Sequence, residues 1–261
     1  LCVRAFVDQD GCIATIDPTY SLYTVLAQIQ DAQLRAIALA PDFSLPDSLA
    51  QDAAGADLLF LPCPNAPSGN LFDDHRLRQL CEHFDGMILL DEAYVDFAAR
   101  DQLALVAAYD NVIVSRTLSK SYSLAGIRLG YAVSRAETIA GLMKVKDSYN
   151  VNALTQRLGA AALRDQGHLR ANIDRVVATR EATAAALTER GFDVVPSQAN
   201  FLFCRPPTDA AELFARLRDE GILVRYFGDS PRTRDFLRIT LGTDADMQQL
   251  LQALDRLAAG P

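Results

Sequence analysis

The 261-residue sequence predicts an α/β protein: a mostly parallel central sheet flanked by helices, followed by a smaller α+β domain. Three observations predict it. Short, nearly continuous apolar runs recur through the first 150 residues, with helical patterns between them. Beyond about residue 150 the texture changes to long Ala- and Arg-rich helical stretches. Those stretches then lead into a second, smaller set of strand-like runs. The expected division is a large domain over residues 1–150 and a small C-terminal domain over 151–261.

In the first part, "CIATID" (12–17), "RAIALA" (35–40), "DLLFLP" (57–62), "MILLD" (87–91) and "NVIVS" (111–115) suit strands buried on both faces, as in a parallel sheet. Between two of them Leu77, Leu80, Cys81 and Phe84 recur at i, i+3, i+4 and i+7, a helix with one buried stripe. Strands alternating with helices read as βαβ units. In the second part the strand-like runs are "ANFLFC" (199–204), "ILVRY" (222–226) and "FLRITL" (236–241). Asp209 with Glu212 resembles a capping box, and Thr243 is placed to cap a closing helix that puts Met247, Leu250, Leu251, Leu254 and Leu257 on one face. No repeat or low-complexity linker separates the two parts, so they are expected to pack closely.

Composition narrows the function. Half the residues are apolar, enough for a sizeable core. The net charge is −8, from 25 basic and 33 acidic residues, and no Lys/Arg run forms a nucleic-acid patch. An anionic ligand must therefore meet a few locally placed cations. The five cysteines are odd in number and scattered without a C-x-x-C pair, and there are only three histidines. That speaks against a metal site or a disulfide framework and for a reducing, cytoplasmic compartment. No apolar run approaches the roughly 18–20 residues that cross a bilayer, so no membrane role is expected. The chain opens at Leu1, and "LCVRAF" reads like the tail of a helix already under way, so an N-terminal portion is expected to be absent.

Ligands of an open parallel sheet bind outside the carboxyl ends of its strands. Asp91 follows "MILL" in "LLDEAYVDF", the turn "PCPNAPSGN" follows "DLLFL", and "SRTLSKSYSLAGIR" follows "NVIV". Taken singly, each has an ordinary reading. Asp91 could cap a helix, "NAPSGN" could be only a turn, Lys120 a solvated surface charge, and Arg128 half of an ion pair.

As an ordered set these stretches resemble the fold-type I pyridoxal-phosphate (PLP) aminotransferases and, within them, the histidinol-phosphate aminotransferase family. The matching stretches are "DPTYSLY" (17–23), "PNAPSG" (64–69), "LLDEAYVDF" (89–97), "RTLSKSYSLAGIRLGY" (116–131), "KVKDSYNVN" (144–152) and "LRITLGT" (237–243). The resemblance implies that Lys120 bonds pyridoxal 5'-phosphate covalently and then moves a proton. For that its amine must shed a proton from a reference pKa of about 10.4, which neighbouring cations and desolvation assist. Asp91 would hold the pyridine nitrogen protonated, Tyr94 would bond the ring's 3-oxygen, and Tyr20 would stack on the ring. Arg128 would grip the phosphate, with the Thr117 and Ser119 hydroxyls beside it.

From pattern alone Arg238 could face solvent from its strand; the resemblance implies instead that Arg238 and Arg225 bind the substrate's anionic group. Two arginines fit a phosphorylated amine substrate, with 2-oxoglutarate and glutamate as the second pair. A homodimer is also implied. Two departures stand out. The family Asn directly before the second Pro of the turn is Ala66 here, so Asn65, one residue earlier, is the candidate for that contact. A turn that donates backbone groups to the cofactor phosphate lies, in the family, upstream of "LCVRAF". The alternatives are an aromatic amino-acid aminotransferase, a threonine-phosphate decarboxylase, or a non-catalytic truncated homologue.

Overall fold

The computed structural model describes residues 1–258; the last three residues of the expected small domain, 259–261, lie outside the described residues. A short helix α1 (Cys2–Phe6) precedes β1 (Cys12–Asp17), α2 (Leu22–Gln30), β2 (Gln33–Ala38), α3 (Leu49–Asp52) and β3 (Leu58–Pro62). Then come α4 (Asp74–His83), β4 (Met87–Asp91), α5 (Leu103–Ala108), β5 (Val112–Thr117), β6 (Gly130–Val133), α6 (Ala136–Val145) and α7 (Ala153–Arg164). The long α8 (Gln166–Glu189) leads to β7 (Asp193–Val195), β8 (Phe201–Arg205), α9 (Ala210–Asp219), β9 (Arg225–Tyr226), β10 (Leu237–Thr240) and α10 (Asp244–Ala258).

The first sheet has six strands in the order β2-β1-β3-β4-β5-β6. Its first five strands pair in parallel and β6 closes the edge antiparallel to β5. Every residue of β3 is buried, as a strand covered on both faces requires. The run expected at 35–40 begins two residues earlier, and of β2 only Ile37 is buried. Being the edge strand, β2 lacks a neighbour to shield its outer side. The second sheet is antiparallel, in the order β7-β8-β10-β9. There "ILVRY" shrinks to two paired residues, and Leu223 is 80% exposed.

Helix ends follow the sequence. Asp209 accepts from the Glu212 backbone N–H at 2.8 Å. Thr243 and Asp246 cap α10 reciprocally: Asp246 Oδ2 accepts from the Thr243 N–H at 2.8 Å, and Thr243 Oγ1 accepts from the Asp246 N–H at 3.3 Å.

One face of the second sheet packs with α8, α9 and α10 around Leu187, Leu202, Leu217, Leu237 and Leu250. Its other face docks on the first sheet's core through three phenylalanines. Phe203 stacks on Phe236 at 4.6 Å, and both meet the edge of Phe43, at 5.6 and 5.5 Å. Arg180 of α8, 4% exposed, adds a polar strut: its Nη1 donates to the carbonyls of Phe97 (3.0 Å) and Ala199 (3.2 Å). The two sheets thus share one apolar interior.

Phe203 is fully buried within this triad. Phe203→Ala is therefore expected to destabilise the protein by about 3–5 kcal/mol, read as a lower urea midpoint, whereas trimming the exposed Leu223 should change it by no more than about 0.5 kcal/mol.

Candidate active site

Parallel pairing carries the carboxyl ends of β1, β3, β4 and β5 to one edge of the sheet, where Pro62 pairs with Asp91 and Asp91 with Ser115. Each strand then turns away through local chemistry. Asp91 Oδ1 accepts from the Ala93 N–H at 3.1 Å, an Asx-type turn that leads to Tyr94 and the single 3-10 turn Val95–Phe97. Glu92 points the opposite way, buried, and pairs with Arg116 Nε at 2.7 Å.

The turn over residues 63–70 is tied on both sides. The Asn65 amide donates to the Pro18 carbonyl at 3.2 Å and to Ser68 Oγ at 2.7 Å, so both its hydrogens are engaged within the protein. Asn65 thereby fixes the segment that carries Tyr20. Ala66 is buried beside Tyr94, Ala199 and Phe201. On the other side Gly69 has φ +80°, and a Cβ there would stand 2.7 Å from Ser197 Oγ, so only glycine fits this approach.

Beyond β5, Thr117 Oγ1 accepts from the Ser119 N–H at 3.1 Å and lies 2.9 Å from Ser119 Oγ, which places the two hydroxyls side by side. Lys120 follows, exposed, with its ammonium 5.3 Å from the centroid of the Tyr94 ring. Arg128 ends the short 3-10 turn Ala125–Ile127 in the left-handed region at φ +54°, and its Nη1 donates to the Ala125 carbonyl at 2.9 Å.

From the second sheet, Arg225 and Arg238 are register partners on β9 and β10. The Arg238 guanidinium lies 5.0 Å from the Phe201 ring and 5.6 Å from Phe227, which Arg225 also faces at 5.5 Å. Phe201 meets Tyr94 edge-on at 5.0 Å. A continuous series of contacts therefore runs from Lys120 through Tyr94 and Phe201 to both arginines. Among the described residues none of Lys120, Arg128, Arg225 and Arg238 forms an ion pair. Arg238 Nε is buried without a hydrogen-bond partner. Burial and then the nearby charge of Arg225 lower the Arg238 pKa. A cleft of about 690 Å³ opens beside Lys120, lined also by Phe97, Asn172, Asn200 and Thr243.

Tyr23 is a site residue that the sequence reading passed over. It is 3% exposed, stacks on Phe60 at 4.5 Å, and donates its hydroxyl to Asp91 Oδ2 at 2.8 Å. The available signal was its spacing of three from Tyr20, which puts both rings on one side of the α2 N-terminus; they meet edge-on at 5.7 Å. Burial pushes Asp91 above its usual carboxylate range, against the opposing bonds from Tyr23 and Ala93 and the charge of Lys120.

The donor set suits pyridoxal 5'-phosphate. A half-buried carboxylate at a strand end could face a ring nitrogen, and an amine could meet an aldehyde. Paired hydroxyls with an unpaired arginine could hold a phosphate, and Tyr20, half exposed, offers a ring face. No cluster of His, Cys, Asp or Glu among the described residues is arranged to hold a metal ion, and none of their helices is long and apolar enough to cross a membrane.

Comparison with known proteins agrees with this geometry. The model of a family described as aminotransferase class I and II matches residues 1–254. The histidinol-phosphate aminotransferase of Citrifermentans bemidjiense is 41% identical over 259 residues, spanning 99% of this chain and 73% of the relative. That of Synechocystis sp. is 43% identical over 256 residues, spanning 98% and 72%. Among solved structures, the histidinol-phosphate aminotransferase from Sinorhizobium meliloti in complex with pyridoxal-5'-phosphate aligns with a TM-score of 0.88 at 26% identity, covering 98% of this chain and 73% of that one. A match that runs from residue 1 to 254, and takes in both arginines of the small sheet as well as the lysine of the large one, places this chain in the aminotransferase class I and II family.

Proposed function

We propose that this chain transfers the amino group of L-histidinol phosphate to 2-oxoglutarate, giving imidazole-acetol phosphate and L-glutamate in histidine biosynthesis, with pyridoxal 5'-phosphate as cofactor. One observation carries the choice of substrate: Arg225 and Arg238, paired in register, share the Phe227 ring and have no ion-pair partner among the described residues. Two adjacent cations complement a phosphate better than a single carboxylate. The relatives' names support the same substrate.

When bound, the cofactor supplies an electron sink for the charge left as the substrate's amine-bearing carbon loses its proton. The chain's residues do the rest. Lys120 Nζ would hold the cofactor at its aldehyde and would serve as the base that moves the proton at the substrate's amine-bearing carbon. Asp91 holds a proton on the ring nitrogen. Arg128, Thr117 and Ser119 bind the cofactor phosphate, Tyr94 bonds the ring oxygen, and Tyr20 covers the ring face. Asn65 keeps the Tyr20 segment in place. Arg225 and Arg238 bind the substrate phosphate and so fix the reacting carbon relative to Lys120.

In this reading residues 1–150 form the cofactor-holding lobe and 151–261 the lobe that delivers the two arginines. A cytoplasmic homodimer belongs to the same reading. The five cysteines are all free. Leu22, Val25 and Ile29 of α2 present an exposed apolar stripe at i, i+3 and i+7, 41, 43 and 76% exposed, that a second copy would cover.

Borohydride reduction after incubation with pyridoxal 5'-phosphate is expected to leave a pyridoxyl group on Lys120, mapped by mass spectrometry, and Lys120→Ala should abolish both the label and glutamate formation. L-Histidinol phosphate should be the best donor. Faster turnover of an aromatic amino acid, or decarboxylation of threonine phosphate, would overturn the substrate assignment. Arg238→Met is expected to raise KM for histidinol phosphate at least about thirtyfold. It should not lower the thermal midpoint of the unliganded protein, because it removes a half-buried charge that has no ion pair among the described residues.

A further inference from the structure

Asp91 is held from two sides by groups on different elements. Its Oδ1 accepts from its own turn at the Ala93 N–H, 3.1 Å away, and its Oδ2 accepts from the Tyr23 hydroxyl at 2.8 Å. Tyr23 comes from α2, is 3% exposed, and lies nearly parallel to Phe60 of β3, with an interplanar angle of 7°. Its ring therefore cannot swing away, and its hydroxyl has no described partner other than Asp91. Burial and the adjacent carboxylate push Tyr23 well above the ordinary tyrosine range, so the hydroxyl stays protonated and acts only as a donor to Asp91.

A donor on Oδ2 favours the ionised form of the carboxyl, while burial favours the neutral form. Lys120 and Ser115 also face Asp91 and act in the same direction as Tyr23. When a carboxylate and a ring nitrogen share one proton, stabilising the carboxylate moves that proton toward nitrogen. We propose that Tyr23 is a positioning residue for the transamination. Its hydroxyl fixes the plane of Asp91 and, by donating to Oδ2, keeps the shared proton on the cofactor's ring nitrogen. This rests on the cofactor reading above and adds a residue to it that touches neither cofactor nor substrate.

The test is Tyr23→Phe, which keeps the ring, its stack on Phe60 and the packed volume while removing only the hydroxyl. Both proteins are loaded with pyridoxal 5'-phosphate labelled with nitrogen-15 in the ring, and the ring-nitrogen resonance is recorded. The wild type is expected at the protonated position and the variant displaced toward the neutral one. Its kcat for histidinol phosphate should fall about tenfold or more, with KM unchanged within twofold, because the substrate phosphate is held elsewhere. A wild-type resonance position and kcat in a folded, loaded variant would overturn the role of Tyr23 while leaving the cofactor reading intact. Failure of the wild type to take up the cofactor would overturn both. A cycle with Asp91→Asn gives a second, independent readout. The fall in kcat caused by Tyr23→Phe should vanish in the Asp91→Asn background, and a further fall that persists there would mean that Tyr23 does not act through Asp91.

Discussion

Parallel pairing of β1, β3, β4 and β5 is the constraint on which the rest of the site depends. Parallel strands all end on the same edge, so four chain segments far apart in sequence are delivered to one crevice. The register that sets Pro62 against Asp91 and Asp91 against Ser115 brings the buried turn, the acid and the lysine loop to the same height. Had any of these strands run antiparallel, its polar segment would leave from the opposite edge. The antiparallel β6 illustrates this: the chain returns through Arg128 at the site edge and then runs away from it.

What the edge positions, the polar ties make rigid. Asn65 binds the turn to Pro18, Gly69 lets the same turn approach Ser197, and Arg180 spans the carbonyls of Phe97 and Ala199. Each tie joins a loop of the first sheet to its neighbour or to the second sheet. The stacked Phe203 and Phe236 add apolar contact beneath them. The distance between the lysine and the two arginines is thus set by packed and hydrogen-bonded structure.

The electrostatics follow a different logic. A fold selected only for stability would not leave Arg238 Nε buried without a hydrogen-bond partner or an ion pair among the described residues, on a guanidinium whose charge burial already disfavours. Such groups cost stability unless a ligand completes them. Arg238 and Arg225 stand together without an ion pair among the described residues, whereas Arg116 pairs with Glu92 and Asp101; the first two are placed to serve a ligand and the third to serve the fold.

The sequence by itself determined eight of the ten strands found among the described residues, their alternation with helices, and the identity of the lysine, the acid, Tyr20, Tyr94 and the arginines; the short β6 and β7 carried no apolar run long enough to be read. Continuous apolar runs and polar residues at strand ends are local signals, and local signals survive in one dimension. It did not show that β2 is an edge strand with one buried residue, because burial of a strand depends on which neighbours it acquires. Nor did it show that Asn65 engages its amide within the protein, since that depends on the Pro18 carbonyl, 47 residues away. Tyr23 stood in the sequence only as the last residue of the matching stretch "DPTYSLY". Its hydroxyl gained a role when β1, β3 and β4 came into register and placed Asp91, 68 residues on, within 2.8 Å of it.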